Sequence, residues 1–264
     1  MADDELRNRA AEANDHFRPV TIADGTVTRP AVPQSKTVQS FLRHLREQGL
    51  DCVPEPLSLE EETETLRLIE GDSGGDAWQH QHDERGLGSA ARLLRRIHDA
   101  SAGWQPPRDA VFDAPPVQGD ADVYCHGDPG PWNFVWRDGE AVALLDWDYL
   151  HPGPRLGDVA YALLWFAPMR DDDACRDWHH FPDVPDRRGR ITAFLDAYGT
   201  DALPSFEVVG AVADRRRATI EHVRSLAEQG LEPQRTWVEE GSLDDEAAEI
   251  RWIETHESLF TPRS

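Results

Sequence analysis

Two short β-prone runs joined by a tight turn are the feature that most limits how this chain can fold. Residues 134–136 and 141–145 flank a turn with Asp-Gly at its centre, and Asp-Gly between such runs is a strong hairpin signal. The two strands of an antiparallel ribbon end side by side, so Asn133 and Asp146 are expected at the same end of it. The pattern therefore predicts that an amide and a carboxylate lie close together.

A third oxygen-bearing residue precedes this ribbon. Asp128 lies five residues before Asn133, and Asp146 follows thirteen residues after it. Asn and Asp oxygens are hard ligands that suit Mg²⁺, and a further Asp can take up or orient the proton of a hydroxyl that attacks a phosphate. Phosphoryl transfer asks little covalent chemistry of a protein, so these side chains and a cradle for a nucleotide nearly suffice for it.

Four segments agree in order and spacing with a known family. They are His126-Gly127-Asp128 with Asn133, Leu145-Asp146-Trp147-Asp148, Gly157-Asp158-Val159-Ala160-Tyr161, and the helix end Leu93-Leu94-Arg95-Arg96-Ile97-His98-Asp99-Ala100. At these residues the chain resembles the aminoglycoside phosphotransferase and choline kinase family, a branch of the protein-kinase-like superfamily. The resemblance covers about residues 84–168. It implies an α+β, protein-kinase-like fold of two lobes.

A glycine cluster at residues 71–75 predicts the hinge between the lobes. Residues 1–72 would form a small, β-rich N-terminal lobe on the nucleotide side. Residues 73–264 would form a mainly helical C-terminal lobe with the catalytic loop and the metal site. The turn Asp24-Gly25 between short β-prone runs predicts a first hairpin. Only about twenty residues precede it, too few for a further hairpin with a Gly-rich phosphate loop. The small lobe is therefore expected to be shortened.

Periodicity and turn signals predict the remaining elements. Helices are expected at residues 1–15, from the N-cap Ser35 to Gly49, and at 83–101, 157–166, 187–198, 206–229 and 237–260. Short strands are expected at residues 18–22, 26–28, 57–59, 65–69 and 122–125.

The resemblance implies a role for each residue of the loop. Asp128 would be the catalytic base, or would orient the acceptor hydroxyl, and Asn133 and Asp146 would bind magnesium. His126 would brace the loop through a backbone hydrogen bond rather than transfer protons. Asp158 would cap the helix that follows and tie down the loop, and a plain carboxylate favoured by the helix dipole is the alternative.

The nucleotide side departs from the family pattern. The lysine that usually meets the ATP phosphates has no counterpart, because Lys36, the sole lysine, begins a predicted helix after two prolines. Arg29 is better placed, since a guanidinium holds phosphate oxygens bidentately; a surface hairpin arginine is the alternative. Glu47 on the next helix is a candidate partner for Arg29. Asp148 is expected either near the metal or a cationic substrate, or as an exposed loop acid.

Composition limits the class of protein. Of the 264 residues 39% are hydrophobic and the formal net charge is −23, which indicates a globular protein and argues against binding to nucleic acid or acidic membranes. The longest apolar run, residues 159–169, is too short to span a bilayer. The acidic N-terminus lacks the basic start of a signal peptide. Three scattered cysteines, Cys52, Cys125 and Cys175, indicate free thiols, so a cytoplasmic location is expected.

Other prominent residues have simpler explanations. His80, His82 and the pair His179-His180 are expected to be solvated rather than to bind a metal. Core packing is expected for most of the tryptophans near the loop, which are Trp132, Trp136, Trp147 and Trp165. The acidic residues of the last predicted helix are expected on a solvated face, with attraction of an amine-bearing substrate as the alternative.

These observations predict an ATP- and Mg²⁺-dependent phosphotransferase. It would move the γ-phosphate to a hydroxyl of a small molecule such as an amino sugar, an aminoalcohol or an antibiotic. The alternative is a catalytically weak or inactive kinase-like binding or immunity protein, because the Gly-rich loop and the usual lysine are missing. Residues 25–30 also resemble a segment of relatives labelled phosphotransferases or trifolitoxin-immunity-like proteins. A metal-dependent hydrolase is disfavoured, since histidine ligands typical of such sites are missing. No motif identifies the acceptor or the oligomeric state.

Overall fold

The first sheet forms where turn residues separate short β-prone runs. The computed structural model describes residues 19–113 and 119–261, so the helix expected in the first fifteen residues lies outside the described part. The strands are β1 Thr21–Ala23, β2 Thr26–Pro30, β3 Pro56–Leu59 and β4 Thr63–Arg67, all antiparallel in the order β1-β2-β4-β3. Asp24 and Gly25 both have positive φ in the first turn, which confirms the predicted Asp-Gly hairpin.

Helix α1, Ser35–Glu47, follows the proline-rich break and packs against β3. Its apolar residues recur at helical spacing and are almost fully buried, as at Phe41, Leu42 and Leu45. The predicted apolar stripe is therefore the packed face. Ser35 was expected as the N-cap but is the first helical residue, and its hydroxyl accepts a hydrogen bond from the Val32 backbone N–H (3.0 Å).

Helices dominate the chain beyond residue 83. Those in the described residues are α2 Glu84–Ser101, α3 Arg155–Phe166, α4 Asp172–Asp177, α5 Arg187–Tyr198, α6 Val208–Glu228, α7 Gln234–Glu239 and α8 Ser242–Thr255. Short 3₁₀ segments lie at Gly74–His82, Pro131–Asn133, Thr200–Ala202 and Glu257–Leu259. The helices predicted at 83–101, 157–166, 187–198 and 206–229 are confirmed to within two residues.

The last predicted helix, residues 237–260, is wrong. Gly241 has a φ of +83°, in the left-handed region, and separates α7 from α8. Glycine takes this conformation without the penalty that other residues meet, and it ends helices for that reason. The short helix α4 was not predicted. Its N-cap Asp171 accepts backbone hydrogen bonds from Asp173 and Ala174 (3.0 and 2.8 Å).

Two short ribbons lie between α2 and α3 along the chain. Strand β5, Val123–Cys125, pairs antiparallel with β8, His151–Gly153. Strand β6, Phe134–Arg137, pairs antiparallel with β7, Glu140–Leu144. The turn residues Asp138 and Gly139 both have positive φ, which confirms the hairpin that the sequence predicted. Strand β8 was missed, because a three-residue segment with Pro and Gly has no strand pattern.

The predicted lobe boundary meets the β6–β7 ribbon directly. The Asp72 N–H donates to the Trp136 carbonyl (3.0 Å), and the Trp136 N–H donates to the Asp72 carbonyl (2.8 Å). Gly71 precedes this pair with a φ of +142°, and a Cβ added there would lie 2.6 Å from the Trp136 carbonyl oxygen. The division into residues 1–72 and 73–264 stays a prediction, and backbone hydrogen bonds join the two parts at that point.

A large apolar core runs through the described residues and joins the N-terminal part to the helices. It holds fully buried side chains from α1, α2, α3 and α5, such as Phe41, Leu94, Leu163 and Phe194. A smaller cluster lies between α6 and α8, formed by Ala213, Ile220, Leu243 and Ile250. None of the described helices is long and apolar enough to cross a membrane. The large core holds α2 and α3, and both helices contact β5, the strand that precedes the loop with Asp128.

Candidate active site

The loop between β5 and β6 has a turn that only glycine permits. The pairing of β5 with β8 places Cys125 opposite His151, which brings the start of the loop against Tyr149. Gly127 has a φ of +88°, and a Cβ added there would lie 2.6 Å from the Tyr149 carbonyl oxygen. The left-handed conformation costs other residues about 1–2 kcal/mol, and here the space is also filled. The turn at Gly127 therefore fixes the position of Asp128, the next residue.

Asp128 is half-buried and is hydrogen-bonded through one oxygen. Its Oδ2 accepts from Asn133 Nδ2 (2.9 Å) and Trp132 Nε1 (3.3 Å). Its Oδ1 is buried and has no partner among residues 19–113 and 119–261. Burial raises the pKa of Asp128, and the neighbouring Tyr161 and His126 offset this only in part. A carboxylate with one oxygen oriented and the other unengaged suits a group that orients a bound hydroxyl or accepts its proton.

Asn133 and Asp146 meet at the open end of the β6–β7 ribbon. The Leu145 N–H donates to the Asn133 carbonyl (2.7 Å), so Asp146 follows directly beside Asn133. The Asn133 amide nitrogen donates to the backbone and side-chain oxygens of Asp128 (2.8 and 2.9 Å), which leaves its Oδ1 as an acceptor. Asp146 has a φ of +56°, a conformation that Asp tolerates better than most residues. This pair of hard oxygen donors fits Mg²⁺.

Asp158, in the first turn of α3, binds the backbone of the loop. It is 1% exposed, and its carboxylate accepts from the N–H groups of His126 (2.6 Å) and Gly127 (2.9 Å). His98 Nε2, from α2, donates to the same carboxylate (3.0 Å). Burial by itself would raise the pKa of Asp158, but the hydrogen bond and charge of His98, with smaller contributions from His126 and His151, lower it overall. Asp158 therefore ties the loop to both helices.

His126 is buried and both of its ring nitrogens are engaged. Nε2 donates to the Leu145 carbonyl (2.7 Å), and Nδ1 accepts from the Asp128 N–H (3.2 Å). Burial lowers the pKa of His126 and outweighs the nearby carboxylate of Asp158. A neutral ring with no unengaged nitrogen links the loop to the end of β7, and it is not placed to move a proton to or from a substrate.

Arg29 reaches the same end of the ribbon from β2. Its Nε lies 2.8 Å from Glu64 Oε1, its Nη1 3.2 Å from Asp146 Oδ1, and its Nη2 3.0 Å from Asp148 Oδ1. Burial opposes the guanidinium charge, but Asp148, Asp146 and Glu64 outweigh it and raise the pKa of Arg29. The side chain is only 12% exposed, so the alternative of a surface hairpin arginine is wrong.

The partner of Arg29 differs from the one that the sequence suggested. Glu64 stands opposite Arg29 in the β2–β4 pair and is 1% exposed. Glu47 is exposed on α1, so it is not the partner. Lys36 pairs with Asp109 at the surface (2.6 Å). This agrees with the expectation that Lys36 does not bind the ATP phosphates. Asp148 is half-buried against Arg29, which rules out a plain exposed loop acid.

The order of the elements and the chemistry of the loop match a known family. The model of the phosphotransferase enzyme family matches residues 26–114 and 108–202. The chain belongs to that family. A relative named trifolitoxin immunity protein, from Rhizobium leguminosarum bv. trifolii, is 32% identical to this phosphotransferase family member over 219 residues, which make up 76% of this chain and 81% of the relative.

Solved structures share the fold of this phosphotransferase family member. A proposed aminoglycoside phosphotransferase from Ralstonia eutropha has a TM-score of 0.55 at 14% identity, over 94% of this chain and 98% of its own. A choline/ethanolamine kinase family protein from Mesorhizobium loti has a TM-score of 0.52 at 14% identity, over 98% and 95% of the two chains. These likenesses confirm the predicted α+β, protein-kinase-like architecture, with a small β-rich N-terminal part and a mainly helical C-terminal part.

Two residues of the site were not predicted. Glu64 carries a weak signal, because its position opposite Arg29 follows only once the register of the β2–β4 pair is known. His98 lies in a segment that the family resemblance includes, but its contact with Asp158 depends on how α2 and α3 each pack against β5 and α5. His98, Cys125 and Asp158 also lie within 4.8 Å of one another. These atoms already take part in hydrogen bonds, since Cys125 Sγ donates to the Pro154 carbonyl (3.3 Å) and His98 Nε2 donates to Asp158 (3.0 Å).

Some residues set aside on sequence grounds are more buried than expected. His179 is 0% exposed and packs against Trp165 at a ring-centroid distance of 5.7 Å, so the expectation of a solvated ring is wrong there. His80 Nε2 lies 2.7 Å from Asp72 Oδ2, and its ring stacks on Trp136. Core packing is confirmed for most tryptophans near the loop, at Trp136, Trp147 and Trp165.

Proposed function

We propose that this protein uses ATP and Mg²⁺ to transfer the γ-phosphate to a hydroxyl of a small molecule. The meeting of Asp128, Asn133 and Asp146 at one end of the β6–β7 ribbon carries the proposal. Membership of the phosphotransferase enzyme family supports it. Magnesium, when bound by Asn133 and Asp146, supplies positive charge beside the nucleotide phosphates.

Each residue of the site would have its own role in such a transfer. Asp128 Oδ1, which has no partner among the described residues, orients the acceptor hydroxyl and takes up its proton. Arg29 lies against the acidic end of the ribbon and holds phosphate oxygens there through its planar guanidinium. Asp148 keeps Arg29 in place, while His126 and Asp158 hold the loop fixed, which keeps Asp128 in a productive orientation.

A second function, binding without transfer, is favoured by two observations. One relative is named an immunity protein, and Arg29 already lies on the carboxylates of Asp146 and Asp148. An immunity-type protein would keep the kinase-like architecture and bind its ligand without consuming ATP. The two functions differ in whether ATP is turned over when an acceptor is present.

The Asp128→Asn variant tests the transfer. It has nearly the shape of the parent but cannot accept a proton, so ADP formation should fall by about 10²–10⁴-fold with the melting temperature unchanged. ADP release is measured with Mg²⁺ and ATP across amino sugars, aminoalcohols and hydroxy acids. Turnover equal to that of the parent with the same acceptor would remove Asp128 from its proposed role.

A thermal-shift titration separates transfer from binding alone. A protein that binds Mg²⁺ and ATP in its folded state melts at a higher temperature when both are present. Asp146→Asn should lose this rise, and the exposed Asp177→Asn should keep it. A parent protein that shows neither the rise nor ADP release supports the immunity-type alternative.

Location and partners complete the proposal. We place the protein in the cytosol, where the three free, buried cysteines stay reduced. Its ligands are a nucleotide and a small-molecule acceptor. The net charge of −23 opposes nucleic acid and anionic membrane surfaces as partners.

A further inference from the structure

Several buried side chains, most of them polar, surround the ring of Trp165 near Asp128. This group, the Trp165 cluster, consists of Trp132, Trp165, Arg170, His179 and Arg216. The Arg170 guanidinium lies 4.5 Å and that of Arg216 5.9 Å from the Trp165 ring centre. The rings of Trp132 and His179 lie 4.7 and 5.7 Å from it. All members but Trp132 are at most 7% exposed.

The cluster contains several hydrogen-bond donors that nothing engages. Trp165 Nε1, Arg170 Nε, Arg216 Nε and both ring nitrogens of His179 are buried without a partner among the described residues. Trp Nε1 and Arg Nε carry only donors, and a neutral His carries one donor and one acceptor. Buried donors are nearly always paired, because each one has given up its water. The unpaired donors of the cluster therefore favour a ligand that is rich in acceptor oxygens.

Two acidic residues of α8, Glu246 and Glu249, form ion pairs with the arginines of the cluster. Glu249 Oε2 lies 3.2 Å from Arg170 Nη2 and 2.9 Å from Arg216 Nη2, and Glu246 Oε1 lies 3.8 Å from Arg216 Nη2. One carboxylate is thus shared between two guanidinium groups. The predicted solvated face holds for Glu239, Glu240, Asp244 and Asp245, which are exposed. It is wrong for Glu246 and Glu249, which are half-buried against the arginines. Glu246 Oε2 is buried without a partner among the described residues.

The glutamates beside Arg170 do not fully offset the cost of burying its charge. Burial lowers the pKa of Arg170, and the like charge of Arg216 adds to this, while Glu249 and Glu246 only partly restore it. A further anion beside Arg170 would stabilise its charged form.

The cluster is continuous with the proposed catalytic residue. Trp132 Nε1 donates to Asp128 Oδ2 (3.3 Å) while its ring packs on Trp165. Arg215, next to Arg216 on α6, donates through Nη2 to the Gly127 carbonyl (2.5 Å), so α6 lies against the loop. An acceptor whose hydroxyl meets Asp128 would extend along the Trp132 ring towards the unpaired donors of the cluster.

We infer that the acceptor is a hydroxy acid: besides the hydroxyl that meets Asp128, it carries a carboxylate that the Trp165 cluster binds through Arg170 and Arg216. The flat, partly exposed ring of Trp132 suits an aromatic or otherwise apolar body between the two groups. The inference rests on the proposed transfer to a hydroxyl and narrows its substrate class. It disfavours the polycationic amino sugars and the aminoalcohols.

Three matched probes test the charge preference. They are para-(hydroxymethyl)benzoate, para-(hydroxymethyl)benzylamine and para-benzenedimethanol, which share a ring and a hydroxyl and differ in the charge of one substituent. Binding is measured by calorimetry and tryptophan fluorescence, and ADP release is measured with Mg²⁺ and ATP. The benzoate should bind at least about tenfold tighter than the other two, a difference of about 1.4 kcal/mol.

Variants locate the effect within the cluster. Arg216→Gln should reduce the preference for the benzoate by at least about fivefold, whereas Arg217→Gln should leave it unchanged. Arg217 is on the same helix but is half exposed and pairs with Asp214 and Glu254, which makes it a matched control. If Arg216→Gln does not fold, Trp165→Phe keeps an aromatic ring at this position and removes the unpaired donor together with the pyrrole part of the indole. It should weaken benzoate binding while benzylamine binding stays constant.

The outcomes separate the inference from the proposed function. Benzoate binding without ADP release supports the anion site and counts against transfer. ADP release with the benzylamine or the diol, and none with the benzoate, supports transfer and overturns the inference. Equal binding of all three probes, or binding of none, overturns it as well, because waters alone would then satisfy the buried donors.

Discussion

At the scale of single residues, Asp158 does most to hold the proposed catalytic loop. Its one carboxylate accepts two backbone N–H groups from the loop and an imidazole N–H from His98. Hydrogen bonds to a buried charged acceptor are stronger than those between neutral groups. The sequence predicted this tie through the family resemblance. The contribution of His98 appears only when α2 and α3 both pack against β5 and α5.

The Asp158→Asn variant should be less stable than the parent, by about 1.5–3 kcal/mol at neutral pH. The folded pKa of Asp158 is lowered, and the unfolded value is about 3.9. Its stabilising effect is therefore complete above about pH 4 and is lost as the pH falls through the folded pKa. Urea denaturation of both proteins as a function of pH measures the difference.

The free-energy gap between the parent and Asp158→Asn should narrow as the pH drops below about 4. The exposed Asp177→Asn serves as the control and should stay close to the parent throughout. A gap that is constant with pH, or that widens in acid, would show that Asp158 contributes through packing and not through its charge.

At the scale of elements, the β6–β7 ribbon explains why two distant side chains meet. Asp-Gly turn chemistry is local, so the sequence predicted the ribbon and the placement of Asn133 and Asp146 at its open end. Local signals failed where an element is very short or a glycine interrupts a periodic pattern. Strand β8 and helix α4 were missed for the first reason, and the break at Gly241 was missed for the second.

The turn of this ribbon should tolerate Asn but not Val at position 138. Asp138 has a φ of +50°, which Asn adopts readily and a β-branched residue does not. Asp138→Val should lower the free energy of unfolding by about 1–2 kcal/mol, and Asp138→Asn should change it by less than about 0.5 kcal/mol. Guanidinium denaturation measures both. Equal stabilities of the two variants would contradict the turn geometry.

At the scale of the whole molecule, charge acts in two opposite ways. The net charge of −23 means that negatively charged side chains repel one another, which disfavours the compact state. Local ion pairs oppose this. Arg29 joins β2 to Asp146, which lies 117 positions further along the chain, and so links the N-terminal sheet to the proposed metal site.

Salt should stabilise this protein by weakening its self-repulsion. The screening length shortens from about 30 Å at 0.01 M to about 8 Å at 0.15 M salt, whereas a partly buried pair such as Arg29 and Asp146 is screened much less. The melting temperature should rise by roughly 2–5 °C over this range. NaCl and KCl should act equally in calorimetry. A melting temperature that falls with salt would mean that exposed ion pairs outweigh the repulsion.

The sequence by itself determined the features that arise within a few residues of one another. These are the Asp-Gly turns, the amphipathic helices, and the loop with Asp128, Asn133 and Asp146. Only the tertiary structure decided which distant groups meet. It paired Arg29 with Glu64 instead of Glu47, placed Arg29 on Asp146 and Asp148, and buried Arg170 and Arg216 around Trp165. Such contacts depend on strand register and helix packing, which no local pattern encodes.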